Sequence, residues 1–219
     1  MFFKILFLLL AYLIGSIPFG LILGLVFKKI DIREYGSKNI GTTNTGRVLG
    51  KKYAIITYIL DMLKGFIFVF LFRFNIIPEK YMVLDPSLYG LIACLGHSFS
   101  IYLKFNGGKA VATGGGAIFG YCPYLIIVGL GVFFLILLFT KIVSFGSLVT
   151  SVVILLCTIV LWIIGYDPIF TFLPQVKIYL PITALIIVLL IFIRHKDNII
   201  RLKNKNENKV TWLNKKESN

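Results

Sequence analysis

Acidic side chains are scarce in this chain. Nine Asp and Glu stand against 23 Lys and Arg, which leaves a formal charge of +14 over 219 residues. Histidine is rarer still, with two residues, and cysteine is limited to Cys94, Cys122 and Cys157. The two His lack a convincing set of carboxylate or thiolate partners, so no metal site is expected and no cofactor is implied. The cysteines lie in apolar runs without CxxC spacing, which argues against a disulfide framework or a nucleophile and for core packing. A Walker A loop is also missing, because no Gly-x4-Gly-Lys-Ser/Thr occurs.

Apolar residues are abundant: 58% of the chain is hydrophobic and the mean hydropathy is +0.91. That balance excludes an ordinary soluble domain and predicts an all-α polytopic membrane protein. Uncharged or nearly uncharged runs cover residues 5–27, 53–72, 86–103, 110–140, 142–166 and 178–193. Each approaches the length a helix needs to cross about 30 Å of hydrocarbon. The first run has no convincing cleavage site and reads as an uncleaved span.

The basic excess invites a nucleic-acid reading, but its placement opposes one. Seven basic residues fall within 28–52 and eight from Arg194 onward, in loops flanking apolar runs. The positive-inside rule and anionic headgroups account for that pattern. The expected partners therefore include membrane lipid and no nucleic acid.

The same rule puts the N-terminus outside and Lys28–Lys52, Lys104–Lys109 and the basic tail in the cytoplasm. An even number of crossings must then separate Lys109 from Arg194. Gly120-Tyr121-Cys122-Pro123 is a plausible turn that splits residues 110–140 and gives seven spans. A dip without crossing gives five. The expected layout is one transmembrane domain over 1–202 and a polar, flexible cytoplasmic tail over 203–219. Asp167-Pro168 and Pro174 mark an external loop.

Three polar stretches interrupt this pattern. The first, GSKNIGTTNTGR at 36–47, concentrates Ser37, Asn39, Thr43 and Asn44 before Arg47. Small polar groups suit a polyhydroxyl ligand, and a guanidinium fork suits phosphate; a solvated loop is the plainer alternative. The second, GHSFSIYLKFNGGKAVATGGG at 96–116, runs from His97 and Lys104 through Gly107-Gly108-Lys109 into a helix start near Thr113. Helix starts expose unpaired N–H groups and favour anions, and glycine lets backbone approach closely. A glycine-rich break between spans is the alternative. The third, RHKDNIIRL at 194–202, places His195, Asn198 and Arg201 at i, i+3 and i+6 if the helix continues.

Smaller features carry weaker readings. Asp61 and Lys64 share a helix face and should pair inside the bundle. Ser144 and Ser147 can cap a helix or line a pocket, capping being the commoner outcome. Gly15-Ser16-Ile17-Pro18-Phe19-Gly20 reads as a kinked packing patch.

Together, GSKNIGTTN with Arg47, Gly96-His97 through GGKAVAT, and RHKDNIIRL resemble the bacterial acyl-phosphate:glycerol-3-phosphate acyltransferase family, over nearly the whole chain and in order. The resemblance implies a seven-span enzyme of the bacterial cell membrane with its site toward the cytoplasm. Its substrates would be acyl phosphate and glycerol 3-phosphate, and its product lysophosphatidic acid. It implies that Ser37, Asn39, Thr43, Asn44 and Arg47 bind or orient the glycerol phosphate. Lys104 would meet substrate phosphate, and Gly107, Gly108, Lys109 and Thr113 would form the phosphate-binding loop. Ser144, His195 and Asn198 would complete the cleft, with Arg201 beside them. Glu207 matches an acidic position after the last motif. The chain departs from the family pattern at Lys38, Ala110 and Lys205, where Gly is usual, and at Ser100, where Pro is usual.

The chemistry expected is direct attack of the substrate hydroxyl on the acyl phosphate, without an acyl-enzyme. Ser37 lacks a nearby His–carboxylate pair, and the His-x4-Asp pattern of soluble-domain acyltransferases is absent at both His97 and His195. A transporter for a small phosphorylated or anionic solute is the competing class, supported by the glycine-broken run and charges within the bundle. The expected topology is testable. Cysteines introduced at Ser37 and Lys203 should react with a membrane-impermeant maleimide from the same side; labelling from opposite sides would separate the polar stretches and refute a shared site.

Overall fold

The computed structural model describes residues 2–165 and 175–210. The Asp167-Pro168 and Pro174 turn signals and the tail from Thr211 lie outside the described residues. Every regular element within them is helical. The chain opens with α1 (Phe2–Ser16) and α2 (Phe19–Leu23), the latter continued by a π turn over Gly24–Lys28. The run expected as one span is thus two pieces bent by 48°. Pro18 causes the break, because it lacks an N–H and disfavours helical geometry at Ile17. The carbonyls freed there are used: Ser16 O accepts from Ser100 Oγ at 2.6 Å and Ile17 O from Lys64 Nζ at 2.7 Å.

Next come α3 (Thr42–Leu49), α4 (Lys51–Arg73) and α5 (Pro86–Ser98). Asp85 caps α5 by accepting from the Ser87 N–H at 3.0 Å, with Pro86 in the first turn. The 86–103 run does not stay helical throughout: α5 stops at Ser98 and a 3-10 turn follows over Ile101–Leu103. The 110–140 run breaks at Cys122-Pro123-Tyr124, as the turn signal implied, into α6 (Val111–Tyr121) and α7 (Leu125–Thr140). Then follow α8 (Val143–Ile164), α9 (Tyr179–Arg194) and α10 (Lys196–Lys203). The last pair bends by 63°, so the helix expected to run through His195 turns there instead.

The protein is an all-helical integral membrane protein. Among the described residues, α4 and α8 are long and apolar enough to span alone, and the two bent pairs raise the number to four. α7 is a shorter apolar helix. α6 has 11 residues, or about 16 Å of rise, and packs inside the bundle. Its closest neighbour is α4, where Gly65 faces the Thr113 carbonyl and Gly116 faces the Met62 carbonyl with no room for a Cβ. Small residues of this kind let helix backbones touch without a hydrophobic driving force between them. Cys94 and Cys122 lie in the core and Cys157 is half-buried.

Lys38, Ala110 and Lys205, the three positions where the resemblance expects glycine, have φ of 57°, 59° and 56°. Left-handed backbone explains the family preference, since it costs an L-residue about 1–2 kcal/mol. Ser100 has φ −65°, the angle proline would impose, and it adds the bond to Ser16. Lys38 and Lys205 are exposed, so glycine there loses no packing. Lys38→Gly and Lys205→Gly should each raise stability by roughly 0.5–1 kcal/mol, after the entropy glycine adds to the unfolded chain. Thermal melts in detergent check this; a lowered melting temperature in both would contradict the strain argument.

Candidate functional site

The first polar loop is folded over the start of α3 by Asn44. This side chain is 1% exposed. Its Nδ2 donates to the carbonyls of Ile32 (2.8 Å) and Tyr35 (3.2 Å), and its Oδ1 accepts from the Ser37 N–H at 2.7 Å. Asn44 is thereby committed to the loop rather than free to meet a ligand. Asn39 forms an Asx turn, accepting from the Gly41 N–H at 2.9 Å. Arg33 is spent on Asp31 at 2.6 Å, which holds the Asp31 carboxyl below its ordinary range. Arg47 remains exposed and lines a cavity of about 300 Å³ with Ile30, Tyr35, Gly36 and Val48. The Ser37 side chain is exposed and Thr43 is half-buried.

The glycine loop differs from the expected cradle in one respect. Gly107 and Gly108 donate their N–H groups to the carbonyls of Ser98 (3.0 Å) and His97 (2.9 Å), at the end of α5. Their own carbonyls accept from Arg194, whose NH2 reaches Gly107 O at 2.7 Å and whose Nε reaches Gly108 O at 3.1 Å. Both glycines are therefore clamped from two sides, and their N–H groups do not form the nest for phosphate. What is left for an anion is the first turn of α6. Its helical bonding begins with Gly114 N–H to Ala110 O at 2.8 Å, so the N–H groups of Val111, Ala112 and Thr113 have no partner within the helix. The Thr113 hydroxyl, fully buried in the same turn, has no hydrogen-bond partner among the described residues. Lys104 sits exposed at φ 51° after the 3-10 turn, and no bond among the described residues ties it to the cluster.

At the third stretch, His195 ends α9. Its ring Nδ1 lies 2.8 Å from the Ile191 carbonyl. A carbonyl only accepts, so Nδ1 carries a proton and Nε2 is the position left for chemistry. On α10, Asn198 Nδ2 donates to Glu207 Oε1 at 2.7 Å, which orients its Oδ1 toward Lys109 Nζ at 2.5 Å. Arg201 Nε donates to Glu207 Oε2 at 2.8 Å. Glu207 is buried and faces these two donors rather than open space. The segment after α10 folds back far enough for the Val210 N–H to meet the Lys141 carbonyl at 2.8 Å.

Ser144 lies in the first turn of α8, yet it does not cap: the N-cap is Ile142, whose N–H donates to Thr140 Oγ1 at 3.2 Å. Ser147 bonds back to Val143 O at 3.0 Å. The Ser144 hydroxyl is buried without a partner among the described residues, which favours the pocket-lining alternative over capping.

Electrostatics joins the three stretches. Burial pushes the Lys109 ammonium down to about 8; Glu207 and Asp197 resist the shift, while Arg201 and Arg47 reinforce it. Arg47, Lys109 and Arg201 therefore share one field although they come from separate parts of the chain. Preorganised cations around a half-buried lysine suit a phosphorylated ligand. The clamp by Arg194 escaped the sequence reading, although the residue stands inside the quoted RHKDNIIRL stretch. No spacing rule says that its guanidinium reaches back to two glycine carbonyls.

Comparison with known proteins shows the family and the fold. The sequence model of the family described as Glycerol-3-phosphate acyltransferase matches residues 5–205. A glycerol-3-phosphate acyltransferase of Acholeplasma laidlawii is 43% identical, with 91% of this chain and 90% of the relative covered. One of Streptococcus pneumoniae (strain Taiwan19F-14) is 42% identical, covering 94% and 92%. Among solved structures, the glycerol 3-phosphate form of PlsY (YgiH), an integral membrane glycerol 3-phosphate acyltransferase, superposes with a TM-score of 0.79 at 32% identity over 96% of both chains. Its lysophosphatidic acid form gives 0.77 at the same identity and coverage.

The Lys109 environment yields a pH prediction. Its charge is complete well below pH 8 and is lost as pH rises through that value. Sulfate, whose own charge is constant there, should bind less tightly between pH 7 and 9, read as a smaller thermal shift. Lys109→Arg should flatten that profile, because a guanidinium stays charged. A sloping profile in the variant equal to the wild type would remove Lys109 from the anion site.

Proposed function

The chain belongs to the glycerol-3-phosphate acyltransferase family, and we propose that its acyl donor is acyl phosphate. The enzyme acylates glycerol 3-phosphate to lysophosphatidic acid. The observation that carries the site assignment is the bonded series Lys109–Asn198–Glu207–Arg201, with the charge of Arg47 beside it.

In the proposed reaction, the 1-hydroxyl oxygen of glycerol 3-phosphate attacks the acyl carbonyl carbon. The bond from that carbon to the phosphate oxygen breaks, and inorganic phosphate leaves. Acyl phosphate is a mixed anhydride with a good leaving group, so positioning and charge neutralisation carry most of the catalysis. Arg47 and Lys109 hold the phosphate of glycerol 3-phosphate, with Lys104 supplying a further cation from the loop. The α6 N-terminus and the Thr113 hydroxyl complete the phosphate contacts. Ser37, Asn39 and Thr43 orient the glycerol moiety. Asn44 and Glu207 act through their neighbours, Asn44 by fixing the loop and Glu207 by orienting Asn198 and Arg201. Ser144 contributes its free hydroxyl to the wall of the cleft. The hydroxyl proton has two candidate acceptors, His195 Nε2 and the substrate's own phosphate, and the family resemblance favours the phosphate.

We further propose a bacterial cell-membrane location, seven spans, an external N-terminus and a site open to the cytoplasm, built by one domain over 1–202. The break at Cys122-Pro123-Tyr124 and the even number of crossings required by the basic loops support that layout.

Purified protein in detergent, given acyl phosphate and glycerol 3-phosphate, should form lysophosphatidate, whereas acyl-CoA should not replace the donor. Arg47→Ala should lower kcat/KM by roughly a hundredfold while preserving helical content. Absence of product from the wild type, or full activity of the variant, would refute the donor or the residue assignment respectively.

A further inference from the structure

Beneath the glycine loop lies a buried ionic cluster that the reaction does not touch. Asp61 and Lys64, one turn apart on α4, stand 2.7 Å from each other with side chains 3% exposed or less. Lys64 Nζ also donates to the Ile17 carbonyl at 2.7 Å and lies 3.1 Å from His97 Nδ1 at the end of α5. An ammonium can only donate, so Nδ1 accepts and the ring proton sits on Nε2. That Nε2 edge is turned to Gly108: a Cβ on Gly108 would strike the ring, and a Cβ on Gly107 would strike the His97 carbonyl. The backbone bonds from Gly107 and Gly108 to Ser98 and His97 complete the contact.

Such a cluster is a poor stabiliser. A buried ion pair gains little over apolar residues of similar volume once desolvation is counted. Ionisable groups within a helical bundle call for a functional account by default. We infer that Asp61, Lys64 and His97 form a positioning relay for Gly107-Gly108, setting where Lys109 and the first turn of α6 meet substrate phosphate. Asp61 holds Lys64, Lys64 selects the His97 tautomer and fixes its ring, and the ring and carbonyl of His97 support the two glycines. Arg194 closes the same loop from its other side. None of the three relay residues needs to contact substrate. The relay deepens the acyl-transfer reading and rests on it, and it predicts an effect confined to the phosphate-bearing acceptor rather than a general loss of activity.

The test uses the full-length protein in detergent. The double variant Asp61→Leu/Lys64→Met removes the pair without leaving an orphan charge, and His97→Asn keeps an acceptor near Nδ1 while deleting the ring. Both should raise KM for glycerol 3-phosphate about tenfold and change KM for acyl phosphate less than about twofold, the split expected when one substrate's binding geometry is disturbed. The double variant should melt at or above the wild-type temperature. Glycerol 3-phosphate should shift the melting temperature of both variants only at about tenfold higher concentration, a readout independent of turnover. An unchanged glycerol 3-phosphate response in both variants would overturn the relay. So would equal losses toward both substrates that track lowered melting temperatures. A wild type that is stabilised by glycerol 3-phosphate but makes no product from acyl phosphate would sink the donor assignment alone, with the thermal-shift comparison still deciding the relay.

Discussion

The contact between Lys109 and Asn198 holds this molecule's chemistry together. Lys109 closes the loop between α5 and α6, and Asn198 sits on α10 beyond the last apolar helix. That bond and its continuation through Glu207 to Arg201 join the two elements beside the Arg194 clamp on Gly107 and Gly108. A half-buried ammonium needs compensation, and an amide oxygen backed by a carboxylate supplies it without neutralising the local field. The surplus of positive charge is thereby stabilised before any ligand arrives. Phosphate binding is favoured by that kind of preorganisation, because cations already in place need not reorganise when the ligand arrives.

The glycines serve this arrangement in a way that a phosphate-loop analogy obscures. Their value is close approach, since the loop lies directly on the His97 ring and carbonyl. Their backbone groups are consumed in holding the loop between α5 and Arg194. The groups that this stretch leaves for an anion are the Lys109 ammonium and the first turn of α6. Rigidity and recognition are thus divided between neighbouring residues of one short stretch.

Much of this was legible in the amino-acid pattern. Gly120 and Pro123 announced the break between α6 and α7, and the three-residue spacing of Asp61 and Lys64 announced their pairing. The bend at His195 was not legible, because RHKDN contains no residue that breaks helices by itself; the His195 ring on the Ile191 carbonyl and the Asn198–Glu207 bond flank that corner. Glycine spacing also says nothing about which way an N–H points, so the orientation of Gly107 and Gly108 was hidden. Asn44 shows the same limit. A polar residue in a polar loop suggested ligand contact, yet the backbone carbonyls of Ile32 and Tyr35 claim its donors. The unpartnered hydroxyls of Thr113 and Ser144 emerged only when neighbouring helices enclosed them.

The return of the chain from α10 to Lys141 has a consequence for biogenesis. Glu207 follows the described apolar helices in the chain, and it supplies the carboxylate on which Asn198 and Arg201 depend. The candidate centre is therefore completed by a residue translated after the helices it joins. A nascent chain that already holds α1 to α10 keeps an unbalanced cationic cluster until Glu207 is added.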